Sequence, residues 1–202
     1  RLERLKGAGD VTLDGREIQL MANIGSARDI EEVLEQDGAG VGLFRSEYLY
    51  LGREESPSEE EQYLEYKSVL EKMQGKRVVI RTLDAGADKQ AAYLGMAREE
   101  NPALGCRGIR LCLERRELFR TQLRALLRAS VWGNLEVMYP MIISVAEVQK
   151  IQEVLKEARE ELTKEGIPWK DFPQGVMIET PAAVMISREL AAEVEFFSIG
   201  TN

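Results

Sequence analysis

The chain has 202 residues, 44% of them apolar, with 27 Lys and Arg against 35 Asp and Glu for a formal net charge of -8. That excess of acid argues against a nucleic-acid or anionic-membrane binder, which needs concentrated positive charge, so any anion site must be local. No apolar run is long enough to span a bilayer, and Arg1-Leu-Glu-Arg-Leu-Lys6 lacks the apolar stretch of a secretory signal, so a cytoplasmic protein without membrane insertion is expected.

The first apolar run, Ile18 to Ile24, predicts a strand ending at Gly25, and Ile30, Val33 and Leu34 follow at helical spacing. Gly40 to Phe44 predicts a second, buried strand. Ser58 and Glu61 then form a capping box that opens a helix reaching about Met73. Arg77 to Ile80 predicts a third strand, followed by a long loop from Leu83 to about Gly108 and an amphipathic helix carrying Leu118, Leu123, Leu126 and Leu127. Leu135 to Tyr139 predicts a fourth strand, Ser144 caps a helix through about Glu165, Gly175 to Ile178 a fifth strand, Pro181 opens another helix, and Phe196 to Ile199 a sixth strand.

Six strands alternating with five helices indicate parallel βα units, arranged either as an open doubly wound sheet or as a βα barrel. A closed barrel needs eight strands and about 250 residues, so on the barrel reading about six of eight units are present. The fold expected is therefore α/β, an incomplete (β/α)8 TIM-type barrel. Residues 1–14 are expected to be a lead-in from an N-terminal domain outside this chain, and residues 15–202 the partial barrel.

Ligands of such folds gather at the carboxyl ends of the strands. Strand two delivers Arg45 and strand three Arg81 immediately after their apolar runs, and two guanidiniums at one rim suit a phosphate or carboxylate through bidentate hydrogen bonds. Arg107 and Arg110 on the long loop could add donors. Taken one at a time, each arginine also reads as part of a solvated basic face. Glu179, after strand five, is placed to ligate a hard divalent cation or to pair with one of the arginines. Asn202 could offer its amide to an anion or end a strand, and Asp84 to Lys89 is similar to a phosphate-cradling loop but lacks the P-loop spacing and reads rather as a structural turn, with Asp84 and Lys89 shaping the site.

The chain contains no histidine, so chemistry here would fall to carboxylates, arginines and a metal. Cys106 and Cys112 have neither the partners of a zinc site nor those of a disulfide framework and are expected to be reduced packing residues.

Seven segments in order carry a resemblance: Ala22-Asn-Ile-Gly25, Gly40 to Tyr50, Arg81 to Lys89, Glu100 to Arg107, Tyr139-Pro-Met-Ile142, Gly175 to Ala183 and Phe196 to Asn202. Together they resemble the Enzyme I family of the bacterial sugar phosphotransferase system, the phosphoenolpyruvate-protein phosphotransferases. The resemblance implies a barrel that binds phosphoenolpyruvate and Mg2+ and passes phosphate to a histidine on a separate N-terminal domain, which then feeds a small phosphocarrier protein. It implies that Arg45 and Arg81 bind the phosphate, that Arg107 is a further anion contact, that Asn202 is a substrate-binding amide and that Glu179 is a Mg2+ ligand. It also implies a homodimer at full length and an inactive fragment, because the phosphorylated histidine, a second acidic metal ligand and a cysteine proton donor lie outside the matched segments. The barrels of pyruvate phosphate dikinase and phosphoenolpyruvate synthase are the related alternative, and a non-catalytic dimerisation module is the other.

Overall fold

The computed structural model describes residues 7, 9–85, 92–95, 99–102 and 104–200. Six strands, β1 (Met21–Ile24), β2 (Gly40–Arg45), β3 (Arg77–Arg81), β4 (Asn134–Tyr139), β5 (Gln174–Ile178) and β6 (Phe196–Ile199), form one sheet whose spatial order follows chain order. Every neighbouring pair is parallel. An open doubly wound sheet reverses its strand order at a switch point. This sheet does not reverse; it curls as a half-barrel, the incomplete TIM-type arrangement.

The helices among the described residues are α1 (Ile30–Glu35), α2 (Glu59–Lys72), α3 (Ile109–Glu114), α4 (Arg116–Ala129), α5 (Val145–Lys164), α6 (Pro181–Met185) and α7 (Ser187–Leu190). Capping boxes start α2 at Ser58 with Glu61 and α5 at Ser144 with Glu147, as that residue pairing dictates. Thr180 caps α6 by accepting the Ala183 N–H, with Pro181 at a position where its missing N–H costs nothing.

Alternation along the strands divides the side chains between two faces. On the convex face Val78, Ile80, Val137, Tyr139 and Val176 pack under α2, α4 and α5 in one large core that includes Phe119, Leu123, Leu126, Ile151 and Leu155. On the concave face Val79, Met138 and Met177 form a small separate cluster with Leu43 and Phe196 against it. Below that cluster Arg77 pairs with Glu136, and above it, at the carboxyl ends, stand Arg45 and Arg81. The interior thus reads as layers, as in a filled barrel.

The structure departs from the expected elements at three places. The first strand begins at Met21 rather than Ile18, because the Ile18 N–H is spent on the Asp10 carbonyl beside an isolated antiparallel bridge between Val11 and Glu17. Ile18 and Leu20 stay exposed, so their apolar character does not mark burial in the sheet. The long loop contains a 3-10 turn at Ala92–Leu94, and α3 follows it as a helix the periodicity did not separate from α4; Arg115, at φ -101° and ψ 62°, breaks the two. The helix after Pro181 is likewise two short pieces, divided at Ile186.

Candidate functional site

The last residues of β2 and β3 lie opposite each other: Arg45 is the register partner of Arg81. Both continue the concave-face alternation, Arg45 two residues after Leu43 and Arg81 two after Val79, which is why both stand at the mouth rather than under the helices. Arg81 Nη1 lies 3.8 Å from Met177 Sδ, so the guanidinium rests on the apolar layer beneath it.

A cavity of about 560 Å³ opens above this layer, lined by Arg45, Arg81 and Arg107 together with Asn23, Glu47 and Asp84, with Ser198 and Gly200 on its far side. Two carboxylates hold two of the arginines in place. Glu47 Oε1 lies 2.6 Å from Arg81 Nη2, Asp84 Oδ2 lies 3.1 Å from Arg81 Nη1, and Asp84 Oδ1 lies 3.1 Å from Arg107 Nη2. The side chains of Arg81 and Arg107 are only 10% and 17% exposed, which removes the solvated basic face as their explanation. Arg110 is the exception, since it spends its guanidinium on the carbonyls of Leu104 and Gly105 and shapes the loop.

Buried guanidiniums paired on one side keep fixed directions for the donors left over. Glu47 Oε2 and Arg81 Nε are buried with no hydrogen-bond partner among the described residues, so the pair holds unspent hydrogen-bonding capacity. Three guanidiniums against two carboxylates leave a modest positive excess, which favours a small anion.

Glu179 follows β5. Among the described residues it makes no ion pair with an arginine; its Oε1 accepts the N–H of Met141 at 2.8 Å. Met141 has φ 62°, a left-handed conformation uncommon for a residue with a side chain. Glu179 borders the cavity through Gly200, where a Cβ would sit 3.0 Å from the Glu179 Cβ and 3.8 Å from Oε2. No group of three or more His, Cys, Asp or Glu side chains among the described residues could hold a metal ion by itself. A single carboxylate nevertheless fits the way Mg2+ is bound, through one or two carboxylates with substrate oxygens and water completing the octahedron.

Of the expected site residues, Arg45, Arg81 and Arg107 share one cavity and Glu179 borders it. Asn202 and Lys89 lie outside the described residues. Glu47 is a site residue that the strand pattern does not mark, because it lies in the 3-10 turn Ser46–Leu49 beyond the end of β2. Cys106 and Cys112 belong elsewhere: Cys106 Sγ donates to Glu114, and Cys112 is fully buried with its Sγ 3.7 Å from the Leu83 carbonyl. No helix among the described residues is long and apolar enough to cross a membrane.

The family described as PEP-utilising enzyme, PEP-binding domain matches residues 1–202. A phosphoenolpyruvate-protein phosphotransferase of Priestia megaterium is 53% identical over 193 residues, 95% of this chain and 34% of that protein. The protein of the same name from Bacillus subtilis (strain 168) is 52% identical over 193 residues, again 95% of this chain and 34% of its own length. That of Staphylococcus aureus (strain MSSA476) is 50% identical over 202 residues, 100% of this chain and 35% of its own. The chain spans about a third of the length of these relatives, and it belongs to the PEP-utilising enzyme, PEP-binding domain family.

Proposed function

We propose that the chain is the phosphoenolpyruvate-binding part of a phosphoenolpyruvate-protein phosphotransferase, which moves phosphate from phosphoenolpyruvate to a histidine on another domain and then to a small phosphocarrier protein. The observation that carries this reading is the in-register pairing of Arg45 with Arg81 over a cavity that also holds Arg107. The names of the relatives support it.

In phosphoryl transfer the protein contributes positioning and charge stabilisation more than covalent chemistry. Arg45, with no carboxylate partner among the described residues, is the donor freest to take the phosphate, while Arg81 and Arg107 offer the edges that Glu47 and Asp84 leave open. Asn202 would add an amide to the substrate. Glu179 would hold Mg2+ together with substrate oxygens and water, and the bound cation would offset phosphate and carboxylate charge that the guanidiniums do not neutralise.

The acceptor imidazole comes from outside the chain, which contains no histidine, and the chain alone is accordingly expected not to turn over. On this reading the full-length protein is cytoplasmic and homodimeric and starts a sugar phosphotransferase relay.

The test is phosphoryl transfer from phosphoenolpyruvate by the full-length protein carrying Arg45→Met or Glu179→Gln. Loss of one charge-stabilising donor is expected to lower kcat/KM on the order of 100- to 1,000-fold. Glu179→Gln should also raise the Mg2+ concentration needed for half-maximal rate. Wild-type kcat/KM in the Arg45→Met protein would remove the reading.

A further inference from the structure

Both site turns rest on one buried amide. Ser46, between Arg45 and Glu47, presents its hydroxyl to Gln122 of α4, whose Nε2 donates to Ser46 Oγ at 3.0 Å. Leu83, two residues after Arg81 and just before Asp84, donates its N–H to Gln122 Oε1 at 2.9 Å. The second Nε2 hydrogen goes to the Tyr66 hydroxyl of α2 at 3.0 Å. That hydroxyl donates onward to Gln62 Oε1 at 3.3 Å, where the Tyr50 hydroxyl also donates at 2.9 Å.

Gln122, Ser46, Tyr66 and Leu83 are all completely buried. The amide has two donors and an acceptor, and every one is engaged, so its orientation is determined by its partners. Phe119, Leu123 and Leu126 around it on the same helix are also completely buried, and an apolar residue at 122 would complete that stripe. The polar atoms instead reach the backs of the two turns that carry Arg45, Glu47, Arg81 and Asp84.

Resting on the reading given under Proposed function, we infer that Gln122 is a positioning residue: its buried carboxamide ties the turn after β2 to the turn after β3 and so sets the spacing of the phosphate-binding arginines. Ser46 is the arm that serves Arg45 and Glu47. The Leu83 N–H is the arm that serves Arg81 and Asp84. Neither Gln122 nor Ser46 lines the cavity, so both act through the residues that do.

The experiment compares Gln122→Met, Ser46→Ala and Arg124→Met in the full-length protein, reading kcat and KM for phosphoenolpyruvate beside the melting temperature, with Arg45→Met as the site reference. Arg124 lies on the same helix but pairs with Glu59, Glu161 and Glu165 on its outer side, so it serves as the stability control. Misplacement of binding groups by a remote change lowers rate strongly, and Gln122→Met is expected to lose on the order of 10- to 100-fold in kcat/KM. Ser46→Ala is expected to lose less, a variant combining Gln122→Met with Ser46→Ala no more than Gln122→Met alone, and Arg124→Met only melting temperature. If Gln122→Met does not fold, Ser46→Ala decides by the same constants. Wild-type kcat/KM in the hub variants that fold, with loss in Arg45→Met, overturns the positioning role alone; wild-type kcat/KM in Arg45→Met overturns the site reading and the positioning role with it.

Discussion

Arg107 hangs from Asp84: its Nε and Nη2 both reach Oδ1, at 3.2 and 3.1 Å, while the other oxygen of the same carboxylate holds Arg81. The side chain of Asp84 is 5% exposed, so both guanidiniums meet their counter-charge away from water. Removing it leaves two partly buried cations, of which, among the described residues, only Arg81 retains a carboxylate, that of Glu47. Asp84→Asn is expected to cost about 3 kcal/mol, the lower end for breaking a buried pair. Urea denaturation measures it, and a cost no greater than that of a surface substitution would contradict the pairing.

The capping box of α2 makes a prediction about acid. The Ser58 backbone N–H, followed by Arg53 and the Ser58 hydroxyl, holds the Glu61 carboxyl down at about 2, from an ordinary 4.5. A depressed carboxyl stabilises the fold above its unfolded value and loses that contribution as pH falls. The stability difference between wild type and Glu61→Gln should therefore be constant above about pH 5 and shrink as pH falls from 4.5 toward 2. Ser58→Ala should cost about 1 kcal/mol near neutrality, as loss of an N-cap does. Denaturant midpoints across pH check both.

Burial, and then the hydrogen bond to Glu114, push the Cys106 thiol up to about 11. Burial pushes Cys112 up further still. Since the thiolate is the reactive species, Cys106 should react slowly with a disulfide reagent at pH 7 and progressively faster toward pH 10. Cys112 should react only on unfolding. Rapid labelling of both at neutral pH would contradict this environment.

Strands β1 and β6 are the edges of the sheet, and β6 leaves Phe197 and Ile199 exposed, with Val184 and Met185 exposed on α6 nearby in the chain. Unpaired edges beside apolar surface invite association. The 202-residue chain by itself is expected to grow in mean mass with concentration in light scattering, whereas a constant monomer mass would count against it.

The strands and the cavity were legible because burial on two faces leaves short apolar runs, and each run ends where a chemistry-bearing residue begins. Arg45, Arg81 and Glu179 could be found by that rule alone. Less legible were the groups that hold them. Glu47 was hidden by the turn that follows Arg45, and Asp84 was read only as shaping a turn, although both are ion-pair partners. Gln122 broke the apolar stripe of α4 as a polar residue among Phe119, Leu123 and Leu126, a signal that hydrophobic periodicity absorbs as noise. The α3/α4 break left no such signal, since it depends on the backbone angles of Arg115 rather than on a glycine or proline.

Because spatial order repeats chain order, each of the six described strands meets the one made just before it as it emerges from the ribosome, and none of these five pairings waits on a distant segment. Arg45, Arg81 and Arg107, and the amide of Gln122 behind them, all belong to the first 122 residues. The ion pairs among Arg81, Glu47, Asp84 and Arg107 can therefore form during synthesis, while the stretch that supplies Met177 beneath Arg81 and Glu179 beyond it is still to be translated.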